Sequence, residues 1–346
     1  MRLRPVMLVL AALAAASLAV TAYWFHVAGE MRKGLDALTA QIRSEGWRVE
    51  RDTIALGGFP WRVVAHLSSL HLSHPEGWDW RGENIDIIIR LHAPLRPIIE
   101  SSGFHTLASG TWSGMASTEK ARLELGLNAD GEPTSLRFEA SKLVLEHAQG
   151  DPLVAASLSF GLDLLNPPDA SHETPSAAFT LGLAGIELPG GTDLPLDPRI
   201  RAAQVEGRIM GSLRGGPPLA ALAAWSAEGG TVELDRLVLD WPPLTLEADG
   251  TLAIDPALQP LIATSARIRG GAELVARLTK VGMLDPAAAA AAAMALRIMA
   301  RPDALGRSTL TMPLTLQDGI LSAGQIRLFR VPPLPLPAPP SGANPP

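Results

Sequence analysis

The sequence predicts a mainly β protein: a long curved antiparallel sheet, or an open barrel or groove, with a few short helices and one N-terminal transmembrane helix. Three observations predict it. The chain opens with an uncharged apolar run. From Trp47 onward, apolar residues recur at every second position in run after run. Clusters of Gly, Pro, Asn and Asp punctuate those runs. Alternation with a period of two gives a strand one apolar and one polar face, which is the pattern of antiparallel rather than parallel sheet.

The first element is residues 1–28. Met1-Arg-Leu-Arg-Pro5 precedes a run, Val6–Ala28, without Asp, Glu, Lys or Arg. At about 1.5 Å per residue this is long enough to cross a hydrocarbon core of about 30 Å. It ends in Tyr23-Trp24-Phe25, side chains that collect at membrane–water interfaces. Two readings compete. One is a signal anchor that stays in the membrane. The other is a cleaved signal peptide, with Arg2 and Arg4 as its basic start and Ser17, Ala19 and Ala22 as small residues for a peptidase. The run continues past those residues, and its aromatic end makes sense only if retained, so the anchor is expected. Arg2 and Arg4 favour an N-terminus inside and the rest exported, although Arg32, Lys33 and Arg43 on the other flank weaken that asymmetry.

Residues 29–46 read as a connector helix. Met31, Leu35, Leu38 and Ile42 fall at helical spacing, and Gly46 stops it. Such a stripe packs on the adjoining domain or, alternatively, lies at an interface or self-associates.

Residues 47–330 form the β-rich domain, as one large body or two lobes. Phe59, Trp61, Val63, Ala65 and Leu67 alternate with polar residues, as do Ile85, Ile87, Ile89 and Leu91, and Ala121, Leu123, Leu125 and Leu127. Val154, Ala156, Leu158, Phe160, Leu162 and Leu164 share one parity, and so do Leu244, Leu246, Ala248, Leu252 and Ile254. Parity flips where Leu67 hands over to Leu70, Ala140 to Leu143, and Leu183 to Ile186. A bulge or tight turn does this. Turn signals fall at 128–131, 166–168, 189–191, Asp249-Gly250 and Asp318-Gly319. Helices are expected at Pro94–Ser102, Pro217–Ser226 and Gly271–Met283. Another starts at Asp285-Pro286, an N-cap followed by proline, and runs to about Arg301, so that 271–301 is a helical insertion. Strands resume at Leu310. Residues 331–346 are half proline and read as an extended, disordered tail.

Composition narrows the function. There are 35 acidic and 29 basic side chains and no basic cluster, which argues against nucleic acid as a partner. There is no cysteine, so disulfides, thiol catalysis and Cys-ligated zinc are excluded. His66, His71 and His74 resemble a metal set on paper. On one strand His66 and His74 lie about 26 Å apart and His71 faces the other side. Gly110-Thr-Trp-Ser113-Gly114 displaces the serine of a nucleophile elbow by one position and reads as a turn. Glu233 and Asp235 share a strand face and read as a solvated pair. Trp78 and Trp80 flank Asp79 in a Pro/Gly-containing loop and either pack against the nearest strand or dip into a membrane interface or bind a partner. No cofactor and no metal is expected.

Gly57-Gly58-Phe59-Pro60-Trp61-Arg62 resembles the "G-[FY]-P-[FW]-R" start of the first long strand in the bacterial family called domain of unknown function 2125. Trp241–Ile254 with Gly270–Leu284, and 314–324 with Pro332-Pro333-Leu334, resemble its later signatures. The resemblance implies a periplasmic β protein tethered to the inner membrane, of unassigned activity, and it supplies no catalytic residue. Gly58, Phe59, Pro60, Trp61 and Arg62 have a structural role: a tight turn that sets Phe59 and Trp61 on one sheet face. In architecture alone the chain is similar to AsmA-like envelope proteins, whose grooves are implicated in lipid transport. Fold alone does not fix function.

These readings lead to a non-enzymatic envelope protein whose apolar sheet face holds or passes membrane lipids. Val154, Leu158, Phe160, Leu162, Leu244, Leu246 and Leu252 are the candidate lining. The same residues also suit an ordinary core. A scaffold that gathers other envelope proteins is the alternative, and an unrecognised hydrolase is the second alternative.

Overall fold

The computed structural model describes residues 3–75, 77–109, 112–147, 151–165, 171–189, 196–212 and 218–332. The chain divides into two compact units, Met1–Pro152 and Leu153–Pro346. Each is mainly β, and each is an open antiparallel meander.

The first unit begins with α1 (Leu3–Ser44), one unbroken helix of 42 residues, so the N-terminal apolar run and the connector are a single element. Gly29 and Gly34 lie in open space within it and do not interrupt it. Gly46, at φ 95°, ends it: its N–H donates to the Arg43 carbonyl and the Trp47 N–H to that of Ile42. The strands are β1 (Arg48–Arg51), β2 (Ala55–Gly57), β3 (Arg62–His74), β4 (Trp78–Arg90), β5 (Ala93–Ser109), β6 (Trp112–Leu127) and β7 (Pro133–His147). Both β1 and β2 pair with β3, and each later strand pairs with the one before it. Val63 and Ala65 of β3 are fully buried under Trp24, Val27, Ala28 and Met31 of α1, with Leu35, Ile87 and Ile89 around them.

The second unit comprises β8 (Leu153–Leu164), β9 (Pro175–Glu187), β10 (Arg199–Met210), α2 (Pro218–Ala227), β11 (Thr231–Trp241), β12 (Leu244–Ile254), β13 (Pro260–Arg269), α3 (Gly271–Lys280), α4 (Pro286–Met299), β14 (Arg301–Pro302), β15 (Ser308–Gln317), β16 (Ile320–Ala323) and β17 (Ile326–Arg330). Strands pair in sequence order, except that β15 pairs with β13 and the short β14 adds to β15. Buried Trp225 fixes α2 by donating its indole N–H to the Met210 carbonyl at 2.7 Å. A Cβ on Gly230 would sit 2.3 Å from that indole, so the chain turns there on glycine. Asp285 caps α4 as its sequence predicts, accepting from the Ala287 and Ala288 N–H groups at 2.9 Å each.

Two expectations change. Pro94–Ser102 is strand, the start of β5, because Ile98 and Ile99 find partners in Ile88 and Ile87 on one side and Glu124 and Leu123 on the other. Tertiary pairing overrides a weak local preference there. Asp249-Gly250 lies inside β12 rather than in a turn. A side chain at Gly250 would put its Cβ 2.2 Å from the Ala263 carbonyl oxygen, so the glycine serves a close strand approach. The signals at Gly190 and Gly191, at 166–168 and in the tail from residue 333 fall outside the described residues.

The parity flips coincide with left-handed residues. Lys142 (φ 48°) lies between Ala140 and Leu143, and Gly185 (φ 59°) between Leu183 and Ile186. Asn84 (φ 50°) lies opposite Ser68, because Leu67 pairs with Ile85 and Ser69 with Glu83.

Candidate functional site

The second unit carries an apolar face of aligned rows. One row runs Leu158–Leu183–Ala203–Leu239–Leu246–Ile268–Leu310, each residue the direct partner of the next. The next runs Phe160–Leu181–Val205–Leu237–Ala248–Ala266–Met312. Leu162–Phe179–Gly207–Leu234–Gly250–Thr264–Leu314 follows, then Leu164–Ala177–Ile209–Val232–Leu252–Ile262–Leu316. A bulge in β11 keeps the last two rows on the face: Arg236 pairs with Glu206 and Leu234 with Gly207, so Asp235 is the extra residue and Leu234 and Leu237 point the same way.

Burial along the rows is partial. Ala177, Ala248, Ala266 and Leu316 are buried, as is Gly207. The remaining leucines, isoleucines, valines and both phenylalanines are half-buried, touching neighbours in the sheet while keeping accessible surface. The small residues form a floor between larger walls. The Phe179 ring lies over Gly207, where a Cβ would come within 2.9 Å of it. The opposite face is polar. Arg208 forks onto Asp235 at 2.6 and 3.1 Å and reaches Glu233 at 3.0 Å. Arg269 bonds Glu247 and holds that carboxyl below its ordinary range.

Of the candidate lining, Leu158, Phe160, Leu162, Leu246 and Leu252 stand in these rows. Leu244 continues the same face of β12 and pairs with Trp241. Val154 lies beyond the flip at Gly185, opposite exposed Glu187.

A second feature sits in the first unit. Gly58-Phe59-Pro60-Trp61 forms the turn between β2 and β3, and it meets α1. The Trp24 indole N–H donates to the Arg62 carbonyl at 2.8 Å. The Phe59 ring stands edge-on to that indole, 5.9 Å between centroids. Gly58, at φ 90°, makes the turn possible, since a Cβ there would lie 2.8 Å from the Arg62 carbonyl oxygen. Phe59 and Trp61 are 56% and 75% exposed. The sequence marks the motif, but nothing local in it marks Trp24 as its partner.

Chemistry-bearing groups are dispersed. His66 pairs with Asp86 at 2.6 Å. His71 lies between Asp79 at 2.7 Å and Glu50 at 3.3 Å, and the Asp79 hydrogen bond raises its pKa. His74 packs against the Trp47 ring. Among the described residues, no group of three or more His, Asp or Glu is placed to hold a metal. Ser101 and His105 are 3.1 Å apart across the irregular stretch at Gly103, and burial lowers the His105 pKa. Trp78 and Trp80 belong to β4 rather than to a loop, paired with His74 and Leu72; Trp80 stacks on His105, and Trp78 is 45% exposed. Gly110 and Thr111 lie outside the described residues; Ser113 belongs to β6.

Fold and site together define a class: antiparallel meanders with a half-buried apolar face, preceded by a long apolar helix that has the length and composition of a signal anchor or signal sequence. Residues 24–332 match the family described as "Uncharacterized protein conserved in bacteria (DUF2125)", and the chain belongs to that family. No curated protein and no solved structure matches it.

Proposed function

We propose that α1 holds this protein at the bacterial inner membrane, N-terminus in the cytoplasm and sheets in the periplasm, and that the apolar face of the second unit holds or passes lipid acyl chains. In this reading it works by binding rather than by catalysis. The observation that supports it is the set of aligned, half-buried rows. With strands about 4.8 Å apart and about 3.3 Å per residue, seven strands and four rows span roughly 29 by 20 Å. Contiguous apolar patches beyond a few hundred Å² mark binding surfaces. The rows carry no charged side chain, and Thr264 is their one polar member, so what lies against them must itself be apolar. Acyl chains meet that condition and leave no polar group unpaired.

A photocrosslinking residue at Leu246, irradiated in living cells, tests this. Phospholipid adducts are expected at 246 and not at Thr251, on the polar face. Protein adducts alone at 246 favour the scaffold reading, and no adduct at all overturns both.

A further inference from the structure

We infer that the Gly58–Trp61 turn and the start of β5 form a membrane-docking surface, seated in the headgroup layer of the bilayer that α1 crosses, with Arg62 and Arg96 meeting anionic lipid headgroups. This rests on reading α1 as a membrane anchor.

Height along α1 places this turn at the interface. The first charged residue after the apolar run is Glu30. Trp24 lies six residues earlier, roughly 9 Å towards the membrane at about 1.5 Å per residue. The Phe59 ring is 5.9 Å from the Trp24 ring, and the Arg62 carbonyl accepts from its indole. The turn therefore sits beside helix that is still apolar. A spanning helix whose uncharged run begins at Val6 places that level at the interface.

The exposed side chains suit that layer. Phe59 at 56% and Trp61 at 75% join Tyr23 at 43% and Phe25 at 65%, a ring of aromatics around the helix. Leu95, 44% exposed, extends it from the neighbouring β4–β5 hairpin, whose Arg90 is the partner of Arg62 across β3 and β4. In water such exposure is unfavourable. In an interface it is the common arrangement for aromatic side chains. Arg62 and Arg96 are exposed beside them. Residues 55–65 and 87–99 contain no Asp or Glu. The next turn at this end, 128–132, carries Asp130 and Glu132, so the cationic surface is confined to the strands nearest the helix.

The chain has no cysteine, which allows single labels. The full-length protein, carrying a nitroxide at Leu13→Cys, Trp61→Cys or Thr106→Cys, would be placed in nanodiscs of phosphatidylcholine with or without anionic phosphatidylglycerol. Collision with a water-soluble nickel relaxant is then read. Site 61 should lose most of its nickel collisions, as site 13 does, while site 106 keeps them. Arg62→Glu with Arg96→Glu should restore nickel access at site 61 in anionic discs. If site 61 is as wet as site 106 while site 13 is protected, the docking surface is overturned and the anchor stands. If site 13 is wet too, the anchor reading fails with it. If charge reversal changes nothing in anionic discs, the headgroup pairing is overturned.

Discussion

Trp24 is where a change would separate α1 from the sheet. It is 8% exposed, donates to the Arg62 carbonyl, and packs on Val63, Ala65 and Phe59 through its own cluster. Truncating a buried Trp to Ala costs about 3–5 kcal/mol in a well-packed core. Trp24→Phe keeps a ring in the site and loses the hydrogen bond, at a cost of about 1–2 kcal/mol once the stranded Arg62 carbonyl is included. With about 1.4 kcal/mol per tenfold, the alanine variant should raise local opening by about two to four orders of magnitude, and the phenylalanine variant by roughly one. Hydrogen exchange with mass spectrometry, on the full chain in nanodiscs, reads this in peptides covering 24–31 and 62–67. Peptides from β7 serve as the internal reference, since distant, independent sites do not couple. Equal exchange in the two variants, or no change in either, would show that this contact does not hold the helix on β3.

Three further outcomes follow from local geometry. Asp79 and Glu50 hold the His71 imidazolium, so its pKa is raised above the ordinary 6.5 while Arg81 opposes. The stabilisation is therefore complete below 6.5 and is lost as pH rises through the higher folded value. An NMR titration of His71 should show this, His71→Gln should remove that part of the pH dependence, and a folded pKa at or below 6.5 refutes it. Gly34 faces open space in α1, so Gly34→Ala should stabilise the helix by about 1 kcal/mol. Gly250→Ala drives a Cβ into the Ala263 carbonyl and should cost about 1–3 kcal/mol or more. Thermal melts of the two variants should shift in opposite directions. Asp285→Ala removes both N-cap hydrogen bonds and should cost α4 about 1 kcal/mol, read as faster exchange over 286–299. Unchanged exchange there would sink the capping argument.

Most of the architecture is written locally and so is legible in sequence. Period-two alternation gives the strands, Asp285-Pro286 gives the start of α4, and Gly46 the end of α1. What escapes the sequence depends on distant partners. Pro94–Ser102 carries two prolines and an Ile-Ile pair; only the ladders on both sides make it strand. Asp249-Gly250 has the composition of a turn, and only the approach of β13 explains a glycine in mid-strand. The flips from Ala140 to Leu143 and from Leu183 to Ile186 are visible, but that Lys142 and Gly185 carry them as left-handed residues is not. The Phe59 turn is recognisable as a motif, yet its meeting with Trp24 spans 35 positions. No periodicity reports such a contact. Apart from Val154, which lies opposite Glu187 beyond the flip at Gly185, the lining residues are legible as one apolar face; the incomplete burial of that face is not.

Incomplete burial of the apolar face distinguishes the second unit from the first. Both present alternating strands with an apolar face. In the first unit, α1 lays the stripe Trp24, Val27, Ala28 and Met31 along β3, and Val63 and Ala65 reach 0% exposure. In the second unit the helices do not repeat this. Among the described residues α3 and α4 bury none of their own, and α2 commits Trp225 to the Met210 carbonyl. Leu239, Leu246, Ile268 and Leu310 stay half-buried in consequence. Alternation therefore means full burial where a helix of this chain supplies the second layer, and a half-buried face in the second unit, which is what the proposed lipid-binding reading rests on. An acyl chain differs from a packed helix in one testable respect: it needs the trough between the walls. Filling the floor with Ala248→Trp should abolish lipid adducts at position 246 while leaving the polar face and its Arg208–Asp235 pair intact. Adducts that persist at full yield would place the lipid somewhere other than this face.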